Sequence, residues 1–132
     1  MLQAYNKQYG FKGLALRPCN LYGPNDNYHP ENCHVIPALI RKFHEAKSGP
    51  MICWGDGTPM REFMYVDDLA DAAIFSMSKF ENAELINVGS GEDVSIKNLA
   101  EMISELTGYK GEILWDKSKP NETPKRALDY SK

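Results

Sequence analysis

Four stretches of the 132-residue sequence hold side chains of a type and spacing that can do chemistry. The first is Leu16-Arg17-Pro18-Cys19-Asn20-Leu21-Tyr22-Gly23-Pro24-Asn25-Asp26, an apolar run stopped by proline and followed by polar groups. Ligands of open α/β sheets sit beyond the carboxyl ends of strands, where Asn20 could both donate and accept. An ordinary turn, with Asn20 bonded to its own backbone, fits the same pattern. The second stretch, Trp54 to Asp68 (WGDGTPMREFMYVDD), places Arg61 after a turn and before a strand. A planar guanidinium suits a diphosphate, and an indole suits stacking on a base or sugar. The alternative pairs Arg61 with a nearby acid and puts Trp54 in the core.

The third stretch, Asn32-Cys33-His34-Val35-Ile36-Pro37, sets His34 near a helix start beside a polar loop. Imidazole titrates near pH ~6.5, so it can act as a general acid or base. A lone histidine is more often structural, and only the rest of a site makes it catalytic. The fourth, Lys117 to Arg126, sets four basic residues against one acid. It reads either as a solvated loop or as a positive rim for a phosphorylated ligand.

The elements that must position these groups alternate in type, which favours an α/β fold. Leu2–Tyr9 reads as a helix stopped by Gly10, and Gly13–Arg17 as a buried strand ended by Pro18. Asn20–Pro30 reads as a loop. His34–Ala46 has helical spacing, with Ile36, Leu39, Ile40 and Phe43 on one face and His44 in solvent. Met51–Trp54 is a strand, Gly55-Asp56-Gly57 a hairpin-type turn, and Glu62–Val66 a further strand. Asp67 can cap a helix whose stripe is Leu69, Ala73, Met77 and Phe80. Leu85–Val88 is a strand. Ser95 caps a helix with Ile96, Leu99, Ala100, Ile103 and Leu106 inward, stopped by Gly108. Ile113–Trp115 is a last strand, and the tail from Lys117 is loop.

Several classes are excluded or disfavoured. A net charge of −3 argues against nucleic acid as a partner. No apolar run approaches the ~20 residues that span a bilayer, so no membrane partner is expected. The first residues, MLQAYNKQYGFKG, lack a signal-peptide core. Cys19, Cys33 and Cys53 are odd in number with no CxxC pair, which gives neither a disulfide framework nor a metal site. The expectation is a cytoplasmic protein. No glycine-rich dinucleotide turn, no P-loop and no Tyr-x-x-x-Lys pair occurs.

Taken together, RPCNLYGPND, WGDGTPMREFMYVDDLADA and INVGSGEDVSIKNLA are similar to three successive landmarks of the extended short-chain dehydrogenase/reductase superfamily. NLYGPNDNYHPENCHVIPALIRKFHEAK and SKPNETPKR resemble one branch of it. That branch epimerises GDP-4-keto-6-deoxy-D-mannose at carbons three and five, then reduces the ketone with NADPH to GDP-L-fucose. The resemblance covers essentially the whole chain. It implies an α/β fold: the last strands of a Rossmann-like sheet plus a small α/β substrate domain. Residues 1–132 would form the C-terminal substrate-binding part, with the dinucleotide-binding part and the main NADP-binding half absent.

The resemblance also assigns residues. His34 falls on the acid of the family's epimerisation. Trp54 and Arg61 fall on the nucleotide-sugar site, and Lys119 reaches the same pocket. Lys42 stands where an arginine is usual, so a phosphate there would meet a point charge rather than a fork. Pro18, Cys19, Asn20 and Leu21 border the nicotinamide, with Asn20 facing the ligand. Cys19 and Cys33 occupy other motif positions than the family's cysteine base. The isolated chain is therefore expected to bind NADPH poorly and to turn over nothing. Gly13–Arg17 and Leu85–Val88 would belong to a parallel sheet whose open edges invite a homodimer or a partner fragment. The competing readings are another nucleotide-sugar epimerase or dehydratase, and a non-catalytic nucleotide-sugar-binding remnant.

Overall fold

The computed structural model describes residues 1–46, 49–81, 84–121, 123–125 and 128–131. In chain order the elements are α1 (Leu2–Tyr9), β1 (Ala15–Pro18), β2 (Asn20–Tyr22), α2 (Val35–Ala46), β3 (Met51–Trp54) and β4 (Met60–Tyr65). There follow α3 (Val66–Lys79), β5 (Leu85–Val88), β6 (Asp93–Ser95), α4 (Ile96–Leu106) and β7 (Ile113–Asp116). The chain divides into two units. The first comprises Met1–Gly23, Glu62–Glu92 and Ala127–Lys132; the second comprises Pro24–Arg61 and Asp93–Arg126.

In the first unit Gly10 closes α1 in the left-handed conformation at φ 65°, where its N–H reaches the Asn6 carbonyl. Strands β1 and β5 pair in parallel, Ala15 against Leu85 and Pro18 against Val88. This is the pairing expected of two apolar runs about 70 residues apart with a crossover between them. Pro18 is the last residue of β1 and needs no donor; Cys19 N–H takes the Val88 carbonyl beyond it.

The expected loop from Asn20 is corrected at its start. Asn20–Tyr22 is strand β2, parallel to β4 with Asn20 opposite Phe63. Such a short strand has no period of its own; its partner, some 40 residues on, makes it a strand. The expected Asp67 cap is also corrected. Helix α3 starts directly from β4 with Tyr65 as its N-cap and no side-chain cap. Asp67 and Asp68 lie in its first turn, where carboxylates favour the positive end of the helix. The expected stripe is rotated: Ser76 is the buried residue of α3, while Met77 is 81% exposed and Phe80 lies open.

In the second unit β3 and β7 pair in parallel from Met51–Ile113 to Trp54–Asp116. The hairpin reading of Gly55-Asp56-Gly57 is thereby overturned. Both glycines do adopt positive φ, 79° and 76°, but the turn hands the chain away from β3 rather than folding it back. The partner of β3 comes from the far end of the unit. Strand β6, too short to show a pattern, pairs with β4, which enters this unit through Met60 and Arg61.

Helices α2 and α4 pack together. Pro37, Leu39, Phe43, Met51, Cys53, Leu99, Ala100, Ile103 and Tyr109 are the buried residues of this core. The Phe43 and Tyr109 rings meet at 5.1 Å, and the Tyr109 hydroxyl donates to the Gly49 carbonyl. Each large apolar side chain buried here contributes about 1.5–3 kcal/mol. Ser95 caps α4 as expected, its Oγ accepting from Asn98 N–H at 3.0 Å. Leu106 does not face inward: it is 84% exposed, because it is the last residue of α4, beyond the final packed turn. Among the described residues no helix is long and apolar enough to cross a membrane, and no cluster of His, Cys, Asp and Glu could hold a metal.

Candidate functional site

Trp54 is the centre of the second unit's site. Strand β3 alternates buried and exposed residues, so Met51 and Cys53 enter the core while Ile52 and Trp54 face out. Trp54 is 69% exposed, which removes the core alternative. Two ammonium groups approach its ring. Lys42 Nζ, from α2, lies 5.9 Å from the ring centroid, and Lys119 Nζ, from the segment after β7, lies 5.7 Å away. Both fall within cation–π range. An open depression of about 310 Å³ adjoins, formed by Gly55, Asp56 and the Lys117–Asn121 segment. An indole between two cations, exposed to solvent, can hold a planar ring and an attached anion together.

The turns beside it are tightly bonded. The Asp56 carboxylate accepts from Thr58 N–H at 2.9 Å and from Thr58 Oγ at 2.6 Å. Those bonds, with a contribution from the Asn121 side chain, hold Asp56 down to about 2. Asp116 plays the same part for Ser118, whose N–H and hydroxyl it accepts at 3.0 and 2.6 Å, and its pKa is lowered. Burial pushes the Cys53 thiol up, opposed by the charge of Lys42.

Arg61 is 5% exposed, and its Nη1 donates to the carbonyls of Met60 and Thr123, each at 2.8 Å. One nitrogen of the guanidinium is thus bonded to backbone carbonyls. His34 is exposed and stands immediately before α2, its carbonyl accepting from Ala38 N–H. It precedes Lys42 by two helical turns, roughly 12 Å along the axis. The structure therefore brings Lys42 and Lys119 to the Trp54 ring, while Arg61 bonds backbone carbonyls and His34 stands exposed before α2.

In the first unit Pro18 ends β1, Cys19 follows it, and Asn20 and Leu21 open β2; the carboxyl ends of parallel strands are where such sheets present ligand-facing groups. Asn20 is exposed, and its Nδ2 donates to the Glu62 carbonyl at 2.8 Å. Cys19 is raised by burial and, second, by the charge of Glu62, so it is a poor nucleophile. Sequence reasoning missed Glu62, a buried carboxylate whose string shows no signal for burial. It also missed Asn121, the capture of Thr58 by the Asp56 carboxylate and that of Ser118 by Asp116. The D-G-T and D-K-S spacings could have found the last two, since Asp accepts from the backbone two residues on.

Parallel pairing and crossover helices define an α/β protein of Rossmann-like architecture. Residues 1–89 match the NAD dependent epimerase/dehydratase family, and the chain belongs to that family. Over its full length it is 54% identical, across 135 residues, to the probable GDP-L-fucose synthase 1 of Oryza sativa subsp. japonica, covering 41% of that protein. It is 47% identical, again over its full length, to the GDP-L-fucose synthase of Escherichia coli (strain K12), covering 45% of it. Among solved structures it resembles the GDP-mannoheptose C4 reductase from Campylobacter jejuni with NADP bound. The TM-score is 0.84 at 35% identity, covering 99% of this chain and 45% of that one. The chain thus spans less than half the length of these relatives.

Proposed function

We propose that this chain, as a substrate-binding part, supplies the nucleotide-sugar site of a cytoplasmic enzyme that converts GDP-4-keto-6-deoxy-D-mannose to GDP-L-fucose with NADPH. Similarity over all of this chain, and over less than half of theirs, to proteins named GDP-L-fucose synthase in a plant and a bacterium carries the reading. The Lys42–Trp54–Lys119 face supports it, because a nucleoside diphosphate needs both a stacking surface and positive charge.

In this reading Trp54 stacks on the ligand, and Lys42 and Lys119 meet the diphosphate as point charges. Arg61 adds a buried positive charge to the unit and holds the Thr123 carbonyl. The ketone makes the flanking C–H groups acidic, since the carbanion delocalises into an enolate. Once a base on the opposite face has taken the C–H proton, His34, exposed just before α2, returns one to the inverted carbon. A positioned acid is worth ~10²–10⁴ in rate.

NADPH, when bound, supplies the hydride that reduces the ketone. The fit of this chain to that cofactor is partial. Pro18–Leu21 is held by the Cys19–Val88 and Asn20–Glu62 bonds and offers an exposed amide suited to bordering a nicotinamide. The sequence contains no glycine-rich turn to cradle a pyrophosphate. The 132 residues alone therefore bind the nucleotide sugar, bind NADPH poorly and transfer no hydride.

Calorimetry and NADPH-oxidation assays on the purified chain test this. The expected result is heat with a GDP-sugar, little with NADPH, and no oxidation. Tight NADPH binding with turnover, or no GDP-sugar binding, refutes it. The open edges of β1 and β5 also lead us to propose self-association or a partner chain. Sedimentation of the same preparation at 14.9 kDa only would count against that.

A further inference from the structure

We propose that Asn121 is the positioning residue that sets Lys119 over the Trp54 ring to meet a nucleoside diphosphate; this rests on the second unit being a nucleotide-sugar site. Lys42 and Lys119 reach the same indole by different routes. Lys42 comes from α2, a helix whose neighbouring residues Leu39 and Phe43 are buried, so its backbone is fixed by packing. Lys119 lies on an exposed segment with no apolar anchor. A lysine carries about 2 kcal/mol of rotamer entropy. On an untethered loop its ammonium would sweep a wide volume and bind little.

Hydrogen bonds tether the segment at both ends. Before Lys119, Asp116 captures Ser118 through N–H and hydroxyl, and Lys119 N–H donates to the Asp116 carbonyl at 3.2 Å. After it, Pro120 restricts φ, and Asn121 Oδ1 accepts from Asp56 N–H at 3.0 Å. The receiving turn is shaped for that amide. Gly55 has φ +79°, and a Cβ there would overlap Asn121 Oδ1. The Asp56 carboxylate is engaged by Thr58, and its N–H points to Asn121. Asn121 is exposed, so the core does not depend on it; what the contact does is close the strap that carries Lys119.

The test uses the full chain with GDP as probe and four proteins: wild type, Lys119→Ala, Asn121→Ala and the double variant. Each single change weakens GDP binding about three- to fivefold, the size of an exposed charge interaction. If Asn121 acts through Lys119, the double variant binds no more weakly than Lys119→Ala alone. Additive losses in the double variant overturn the proposal. A second readout needs no ligand. In protein labelled with 5-fluorotryptophan, the Trp54 fluorine resonance, assigned with Trp54→Phe, shifts in Asn121→Ala in the direction seen in Lys119→Ala, with no further shift in the double variant. A Trp54 resonance unmoved by Asn121→Ala overturns the proposal. Absence of GDP binding by the wild type sinks the nucleotide-sugar reading instead, and the fluorine arm still decides the positioning.

Discussion

Glu62 in the first unit and Trp54 in the second are both centres of polar contact, the one buried and the other open to solvent. Glu62 is 4% exposed, and its carboxylate accepts from Gly91 N–H at 2.6 Å, from Ser90 Oγ at 3.3 Å and from the Tyr130 hydroxyl. It ties the turn after β5 and the Tyr130 segment to β4. A Cβ at Gly89 would overlap the Tyr130 hydroxyl and Glu62 Oε1, so a larger residue there would displace these contacts. Trp54, by contrast, meets the ammonium groups of Lys42 and Lys119 and is itself 69% exposed. Polar groups closed on one another stabilise a fold; groups of the same kind left open bind something else.

Three substitutions or conditions would break or sharpen that contrast. Glu62→Ala has the largest effect. It removes the acceptor of a part-buried N–H and of the Tyr130 hydroxyl, and should lower stability by on the order of 2 kcal/mol in urea unfolding. A loss under ~0.5 kcal/mol, the usual surface value, would mean that Glu62 is not a structural tie. Trp54→Ala should do the reverse. GDP affinity falls about tenfold, as loss of a stacked base at ~1–3 kcal/mol requires, while the urea midpoint stays close to that of the wild type. A large drop in midpoint with GDP affinity retained would make Trp54 a core residue after all.

The smallest effect is acid. Asp56 titrates at about 2 in the folded chain, below its ordinary 3.8. A depressed carboxylate stabilises above its unfolded pKa and loses that contribution as pH falls through the folded one. The Asp56–Thr58 turn should therefore hold from neutral pH down to about 4 and loosen between 4 and 2, moving the Trp54 fluorine resonance in that window. Asp56→Asn should remove that movement. A transition centred near pH 6 would point to another group.

Much of the architecture is legible in the sequence. Gly10 ends α1, Ser95 begins α4, and the period of Leu39–Phe43 and of Leu99–Ile103 marks the faces that pack. These signals are local: a positive φ, a hydroxyl three residues before an N–H, an apolar stripe at helical spacing. Short strands β2 and β6 were illegible because three residues carry no period. Leu106 and Met77 were misplaced because a stripe does not say where its packing partner ends.

The site divides along the same line. Residue types and motif strings determined by themselves which side chains were candidates, including His34, Trp54, Arg61 and Lys119, and to which family the strings are similar. Only the tertiary structure decided that β3 pairs with β7, so that Trp54 faces out beside the segment bearing Lys119. It alone turned Arg61 toward the Met60 and Thr123 carbonyls, buried Glu62 and docked Asn121 on the Gly55 turn. Apart from the Arg61–Met60 bond between chain neighbours, each of these contacts joins residues far apart in the chain. Their geometry depends on how strands and straps are packed together, which spacing along the sequence does not encode.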